Sequence, residues 1–265
     1  MEVSQHISVT GMLAAQRQLE AVANNLANVG TPGFKRAHAH VQDIGYQAEL
    51  TAPVGPGGAP LRIVGIGEGA QIADITHDFL PGTLQATGNA LDVALQGEGF
   101  FQVALADGTL GYTRDGSLSL DADGRLVTAT GLPVQATTGG ELRVPAGASN
   151  VRLDDTGALL VTADDGTDQV VGELAVATFS NSLGLQADGQ NVWLATAASG
   201  PATLLPPGAP NAPLMVAGAL EGSNVDVADE FTRLIQAQRS YQLNAKVVQA
   251  WDDIEHLANE LRSGA

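Results

Sequence analysis

Residues 24–36 read NNLANVGTPGFKR: three asparagines, two glycines and a proline break a helical pattern, and an aromatic and two cations follow. Upstream, Met12, Ala15, Leu19, Val22, Leu26 and Val29 recur at steps of three and four, an apolar seam of period 3.5. That spacing suits a helix packed on its own domain as well as one member of a coiled coil. Gly30 lies just past the last seam residue, where a left-handed cap is expected, and Pro32 follows two residues later. Thr31-Pro32-Gly33-Phe34 carries Pro and Gly where a type II turn needs them. Asn24 and Asn28 share a helix face. Asn is a mediocre helix former, so these amides are expected to bond nearby backbone. Taken alone, the segment reads equally as a joint or as an ordinary capped helix end.

The other end of the chain carries a second seam: Phe231, Leu234, Gln238, Tyr241, Ala245 and Val248. It slips by one position to Val247, Trp251, Ile254, Ala258 and Leu261, as a straight 3.6-residue helix drifts. Ser223 and Asn224 are the expected caps, with Asp226, Asp229 and Glu230 at the positive end of the helix dipole. A helix over 226–262 would span roughly 55 Å, and one over 4–28 roughly 37 Å.

Between the helices the punctuation changes. Asp-Gly turns recur at 107–108, 115–116, 123–124 and 165–166, with Asp155-Thr156-Gly157 between them. This is the spacing of short strands joined by tight turns. Phe101, Val103 and Leu105 fall on one face of a strand, and Phe100, Gln102 and Ala104 on the other. Leu142–Leu153 and Val170–Phe179 are also strand-like. The middle is an antiparallel β domain, and alternation does not separate a sandwich from a barrel. Thr51–Pro60 and Ser199–Pro213 are Gly- and Pro-rich connectors. The expected α+β organisation is a stem helix over 1–30, an irregular joint and extended insertion over 31–75, an antiparallel β domain over 76–222, and a second stem helix over 223–265.

Composition narrows the chemistry. The 265 residues include no cysteine, which removes disulfides, thiolate metal sites and a Cys nucleophile. Aromatics make up only 4% of the chain, so the core is expected to be Ala, Val and Leu. The net charge of −17 sits mostly in the middle, because residues 1–36 are slightly basic and residues 224–265 hold seven acids against four bases. Such a surface repels nucleic acid and anionic lipid. No apolar run is long enough to cross a membrane as a helix. The N-terminus has no basic and apolar succession typical of a cleaved signal.

Catalytic motifs are equally scarce. Gly65-Ile66-Gly67-Glu68-Gly69 is not a dinucleotide fingerprint, and with lysines only at 35 and 246 no phosphate-loop lysine is available. The Asp-Gly clusters do not fit a calcium loop. His38 and His40 share a strand face without an evident third ligand. Carboxylate pairs are too common in so acidic a chain to mark a glycosidase dyad. No catalytic, metal or cofactor residue is expected.

Three blocks resemble one family in order. ANNLANVGTPGFKR, then ALDVALQGEGFFQV (90–103) with YTRDGS (112–117), then SNVDVADEFTRLIQAQRSYQLNAKVV (223–248) are similar to the bacterial flagellar rod and hook axial proteins. GFFQV, LIQAQRSYQLNAKVV, the chain length and the insertion over about 46–70 are most like the distal-rod branch. The resemblance implies terminal helices paired as an antiparallel coiled coil around an axial channel, with the β domain inserted. It implies a structural subunit that self-assembles into a helical tube and passes motor torque to the hook. The implied partners are further copies of the chain, proximal rod proteins, the hook protein, the surrounding P- and L-rings and the flagellar export apparatus. The implied place is the rod crossing the periplasm, reached without a cleaved signal.

On this reading Asn24, Asn25, Leu26, Asn28, Gly30, Thr31, Pro32, Gly33 and Phe34 form the joint. Leu19, Val22, Leu234, Gln238, Arg239, Tyr241, Asn244 and Val248 serve helix packing and assembly. The alternatives are a proximal-rod or hook-type sibling and, from other classes, a secreted acidic β module binding glycan or calcium, or an enzyme acting on cell-wall glycan.

Overall fold

A computed structural model describes residues 2–50, 63–163, 166–206, 209 and 212–263. The Thr51–Pro60 connector, the Asp164-Asp165 turn and part of the Ser199–Pro213 connector lie outside the described residues. The architecture is mixed α+β. A helix stands near each end, α1 (Glu2–Ala27) and α2 (Val227–Ser263), with strands between. The chain divides into two compact units: residues 1–26, 37–76 and 226–265, and residues 27–36 and 77–225.

Among its described residues the first unit holds both helices and four strands: β1 (Ala37–Asp43), β2 (Tyr46–Leu50), β3 (Ile63–Gly67) and β4 (Ala70–His77). β1 pairs with β4, and β2 runs antiparallel to β3 in register from Tyr46–Gly67 to Leu50–Ile63. A side chain at Gly11 of α1 would lie 2.8 Å from the Asn244 amide of α2, so small size at Gly11 is what lets the two helices approach there. α2 begins where Asp226 Oδ1 accepts the Ala228 and Asp229 N–H groups at 2.8 and 3.2 Å. Asp226 is therefore the N-cap. Ser223 and Asn224, expected as caps, lie too early in the chain to reach those N–H groups.

The second unit contains β5 (Leu84–Ala86), β6 (Val93–Gln96), β7 (Phe100–Ala104), β8 (Leu110–Thr113), β9 (Leu118–Leu120), β10 (Leu126–Thr128), β11 (Ser149–Leu153), β12 (Ala158–Thr162), β13 (Asp168–Glu173) and β14 (Val176–Thr178). It continues with β15 (Gln186–Gly189), β16 (Val192–Leu194), β17 (Thr203–Leu205), β18 (Leu214–Ala217) and β19 (Ala219–Glu221). The largest sheet is six-stranded, β15-β16-β8-β7-β14-β17, and each adjacent pair in it is antiparallel. β11-β12-β13 form a second antiparallel sheet, and β9–β10, β6–β18 and β5–β19 pair separately.

The period-2 alternation along β7 places its side chains in two different cores. Phe101 and Val103 enter an aliphatic core with Leu95, Leu126, Leu159 and Leu174. Phe100, on the opposite face, packs with Tyr112, Trp193 and Leu185. Five of the eleven aromatics gather on this second face. Phe79 contacts Phe100 and Trp193 edge-on, and Phe179 contacts Phe100 and Tyr112. Such edge-on pairs add to the stabilisation from burial alone.

The Asp residues of the turns organise the turns themselves. Asp107 Oδ1 accepts the Thr109 N–H and hydroxyl, and Asp154 Oδ1 accepts the N–H groups of Thr156 and Ala158. Asp121 does the same for Asp123 and Arg125. Part of the acidity of the middle region is thus local turn chemistry.

Candidate functional site: the joint of the signature segment

α1 ends at Ala27, and the next residues close a turn in which the Thr31 N–H donates to Asn28 O at 3.1 Å. Gly30 does not take the left-handed conformation expected of it; Gly33 does, at φ +66°. A second turn closes through Phe34 N–H to Thr31 O at 3.3 Å, with Gly33 where a type II turn demands positive φ. The helix therefore stops without a glycine cap, and the glycine requirement falls at the turn three residues later.

Two anchors fix the segment, one in each unit. In the helical unit, buried Asn25 grips the backbone of Ala37: its amide donates to Ala37 O and accepts from Ala37 N, both at 2.8 Å. Asn24 is exposed, and Asn28 Oδ1 accepts the Thr31 hydroxyl at 3.2 Å. Asn25→Ala is expected to cost about 1–3 kcal/mol, because the Ala37 N–H and C=O stay buried without a donor or acceptor in place of the amide. Urea denaturation checks this, and a loss under roughly 0.5 kcal/mol would show the amide to be dispensable.

In the β unit, Lys35 and Glu221 are fully buried and Arg114 is 1% exposed. Lys35 Nζ lies 2.6 Å from Glu221 Oε1 and donates to Leu80 O at 2.8 Å. Arg114 Nη1 meets Glu221 Oε2 at 3.3 Å while Nη2 donates to Gly97 O at 2.7 Å. The Gly82 N–H donates to Glu221 Oε1 at 2.9 Å, and the Gly33 N–H donates to the Glu221 carbonyl at 2.7 Å. Burial pushes the pKa of the Lys35 ammonium down, against the attraction of Glu221, and the Arg114 guanidinium moves the same way for the same reason. Arg114 also stands over the Phe100 ring, 5.3 Å from its centroid, which ties the ionic cluster to the aromatic core.

The rest of the joint is held by amides. Asn224 Oδ1 accepts the Arg36 N–H at 2.8 Å, and its Nδ2 donates to Asp78 O and Leu80 O at 2.7 and 3.1 Å. Asn191 Nδ2 donates to Pro32 O at 2.8 Å. Leu26, Pro32 and Phe34 are half-buried and Gly30 is exposed. Sequence reasoning missed Lys35, Arg114, Glu221 and Asn224 as one constellation. Isolated charges 79 or more residues apart carry no local pattern; the only signal available was that Lys35 is one of two lysines.

Among the packing residues, Val22 is buried and Leu19, Leu234, Asn244 and Val248 are half-buried, while Gln238, Arg239 and Tyr241 are exposed. The stripe of α2 that turns inward includes Glu230, Arg233, Ala237 and Asn244. The large apolar residues Phe231, Ile235, Leu243, Val247 and Ile254 are exposed.

Three family descriptions match the chain: "Flagella basal body rod protein" over residues 6–35, "Flagellar hook protein FlgE/F/G D1 domain" over 94–162, and "Flagellar basal body rod FlgEFG protein C-terminal" over 216–261. The flagellar basal-body rod protein FlgG of Agrobacterium fabrum is 38% identical over 259 residues, covering 96% of this chain and 97% of that one. This chain belongs to the FlgG family of flagellar basal-body rod proteins. The FlgG of Caulobacter vibrioides is 36% identical, covering 97% and 98% of the two chains. The FlgF rod protein of the same organism is 28% identical, covering 98% of each. Within one organism, then, the similarity favours FlgG over its sibling. The joint residues and Lys35 lie inside the first match, Arg114 inside the second, and Glu221 and Asn224 inside the last, so the ionic cluster of this rod protein draws on all three matched regions. Its role is structural rather than enzymatic.

Proposed function

We propose that this chain is a structural subunit of the distal rod, polymerising into a helical tube that carries motor torque to the hook. The observation that carries the reading is the uncovered apolar surface of α2: Phe231, Ile235, Tyr241, Leu243, Val247, Ile254, Leu257 and Leu261 are all exposed on one helix of 37 residues. Soluble monomers seldom leave so many large apolar side chains in water, and such surfaces mark association sites. α1 and α2 act as an antiparallel coiled-coil stem. In support, Gly11 lies against Asn244 while Val22, further along α1, shares a pocket wall with Arg233 and Ala237, earlier along α2. The joint residues fix the path of the chain where it leaves α1, and Leu19, Val22, Leu234, Gln238, Arg239, Tyr241, Asn244 and Val248 serve packing within and between subunits.

Its neighbours are further copies, proximal rod proteins, the hook protein and the P- and L-rings. It reaches the rod through the flagellar export apparatus. Repeating contacts that do not close produce a filament rather than a ring.

Electron microscopy of the purified chain is expected to show straight tubes. Their growth should quicken with added salt, because the net charge of −17 opposes packing and screening acts over about 8 Å at physiological ionic strength. Persistence as monomers at high concentration, or a rate that falls with salt, would count against the reading.

A further inference from the structure

The helical unit carries a half-open pocket of about 560 Å³, walled by Gln18 and Val22 of α1, His38 of β1, and Glu230, Arg233 and Ser240 of α2. Glu230 is 1% exposed, yet among the described residues neither of its carboxylate oxygens has a hydrogen-bond partner. The cation on the wall is engaged elsewhere: Arg233 Nη1 donates to His38 Nδ1 at 2.7 Å, which leaves that ring neutral. The wall thus carries Asp229 and Glu230 against a single guanidinium, one charge short of balance.

A buried carboxylate without a donor is costly, and removal from water is compensated only by a paired, hydrogen-bonding cation. We propose that this pocket is an assembly socket that seats the Arg239 guanidinium of a second copy of this chain on the Glu230 carboxylate. The proposal rests on the polymerisation read above. Arg239 is exposed, and no ion pair or hydrogen bond engages its side chain among the described residues. It lies nine residues after Glu230, about two and a half turns at 3.6 residues per turn, and so on the opposite face of α2. One helix therefore offers an anion on one side and a cation on the other, the arrangement that a repeating head-to-tail contact needs. The planar guanidinium matches both oxygens of a carboxylate, which the Lys246 ammonium cannot do.

The test uses the full chain and measures the critical concentration for polymerisation by sedimentation, together with the melting temperature of the monomer. Glu230→Gln and Arg239→Gln are each expected to raise the critical concentration about tenfold or more. The double variant should be no worse than either single one, Lys246→Gln should resemble the parent, and Glu230→Gln should not lower monomer melting. Normal polymerisation of Glu230→Gln, defects that multiply in the double variant, or a fall in its monomer melting would each overturn the socket. If the parent chain itself forms no polymer, the rod-subunit reading falls first and takes the socket with it.

Discussion

Replacing Glu221 by Gln is expected to lower the stability of the monomer by about 3–5 kcal/mol, the usual cost of removing one member of a buried ion pair. Among the described residues Glu221 is the only carboxylate in hydrogen-bonded contact with either Lys35 or Arg114, and all three side chains are essentially out of water. An amide keeps one acceptor oxygen but no charge, so two cations would stay buried with carbonyls as their remaining acceptors. The amide would also turn an N–H group toward one of the two cations, each of which only donates. Removing all three charges would not restore stability here as it does in some proteins, because Gly97 O and the Gly82 N–H would then lose their partners. The urea midpoint of the monomer reads the effect. A loss below roughly 1 kcal/mol would mean that the cluster is solvated enough to do without its anion.

Gly33→Ala is expected to cost about 2–5 kcal/mol, whereas Gly30→Ala, three residues earlier, should stay within about 0.5 kcal/mol of the parent. At Gly33 two penalties add. An L residue at φ +66° costs roughly 1–2 kcal/mol. The new methyl group would also stand 2.6 Å from Arg114 C and 2.7 Å from its O, and backbone atoms do not yield as a flexible side chain can. The segment has little room to retreat, since Pro32 O is bound by Asn191 and the Gly33 N–H by the Glu221 carbonyl. At Gly30 a side chain meets nothing within 4 Å and φ is ordinary. Paired melting curves of the two variants decide the matter, and equal effects would refute the turn geometry.

The elements that could be read from the sequence are those whose signal is local. Apolar residues at steps of three and four gave both helices to within a few residues at each end, and alternation around Phe100 and Phe101 gave a strand with two packed faces. The Asp-Gly turns were legible because the aspartate bonds its own neighbours two to four residues on, so cause and effect share one window of sequence. The joint was legible as a joint, but its fastening was not. Gly30 and Gly33 are alike in composition, and only the approach of Arg114 decides which of them must be glycine. Asn224 looked like a helix cap because it precedes the helix, yet its amide is spent on Arg36, Asp78 and Leu80. On α2 the apolar pattern alone does not say which side faces the subunit. The described inward stripe includes the small Ala237 and the polar Asn244, and many of the large side chains face outward.

Lys35 and Glu221 stand 186 positions apart, and that separation has a consequence for the order in which the chain folds. Each hairpin between them closes its own short turn, but the Lys35 ammonium has no carboxylate to meet until nearly the whole β region has been made and gathered. Closing so long a loop is entropically unfavourable until intervening structure shortens it. The joint is thus a late lock: a chain that ends before residue 221 lacks the carboxylate that pairs with Lys35. In this protein the signature near the start of the chain is completed by an acid close to its end, and its burial reports that everything between has arrived.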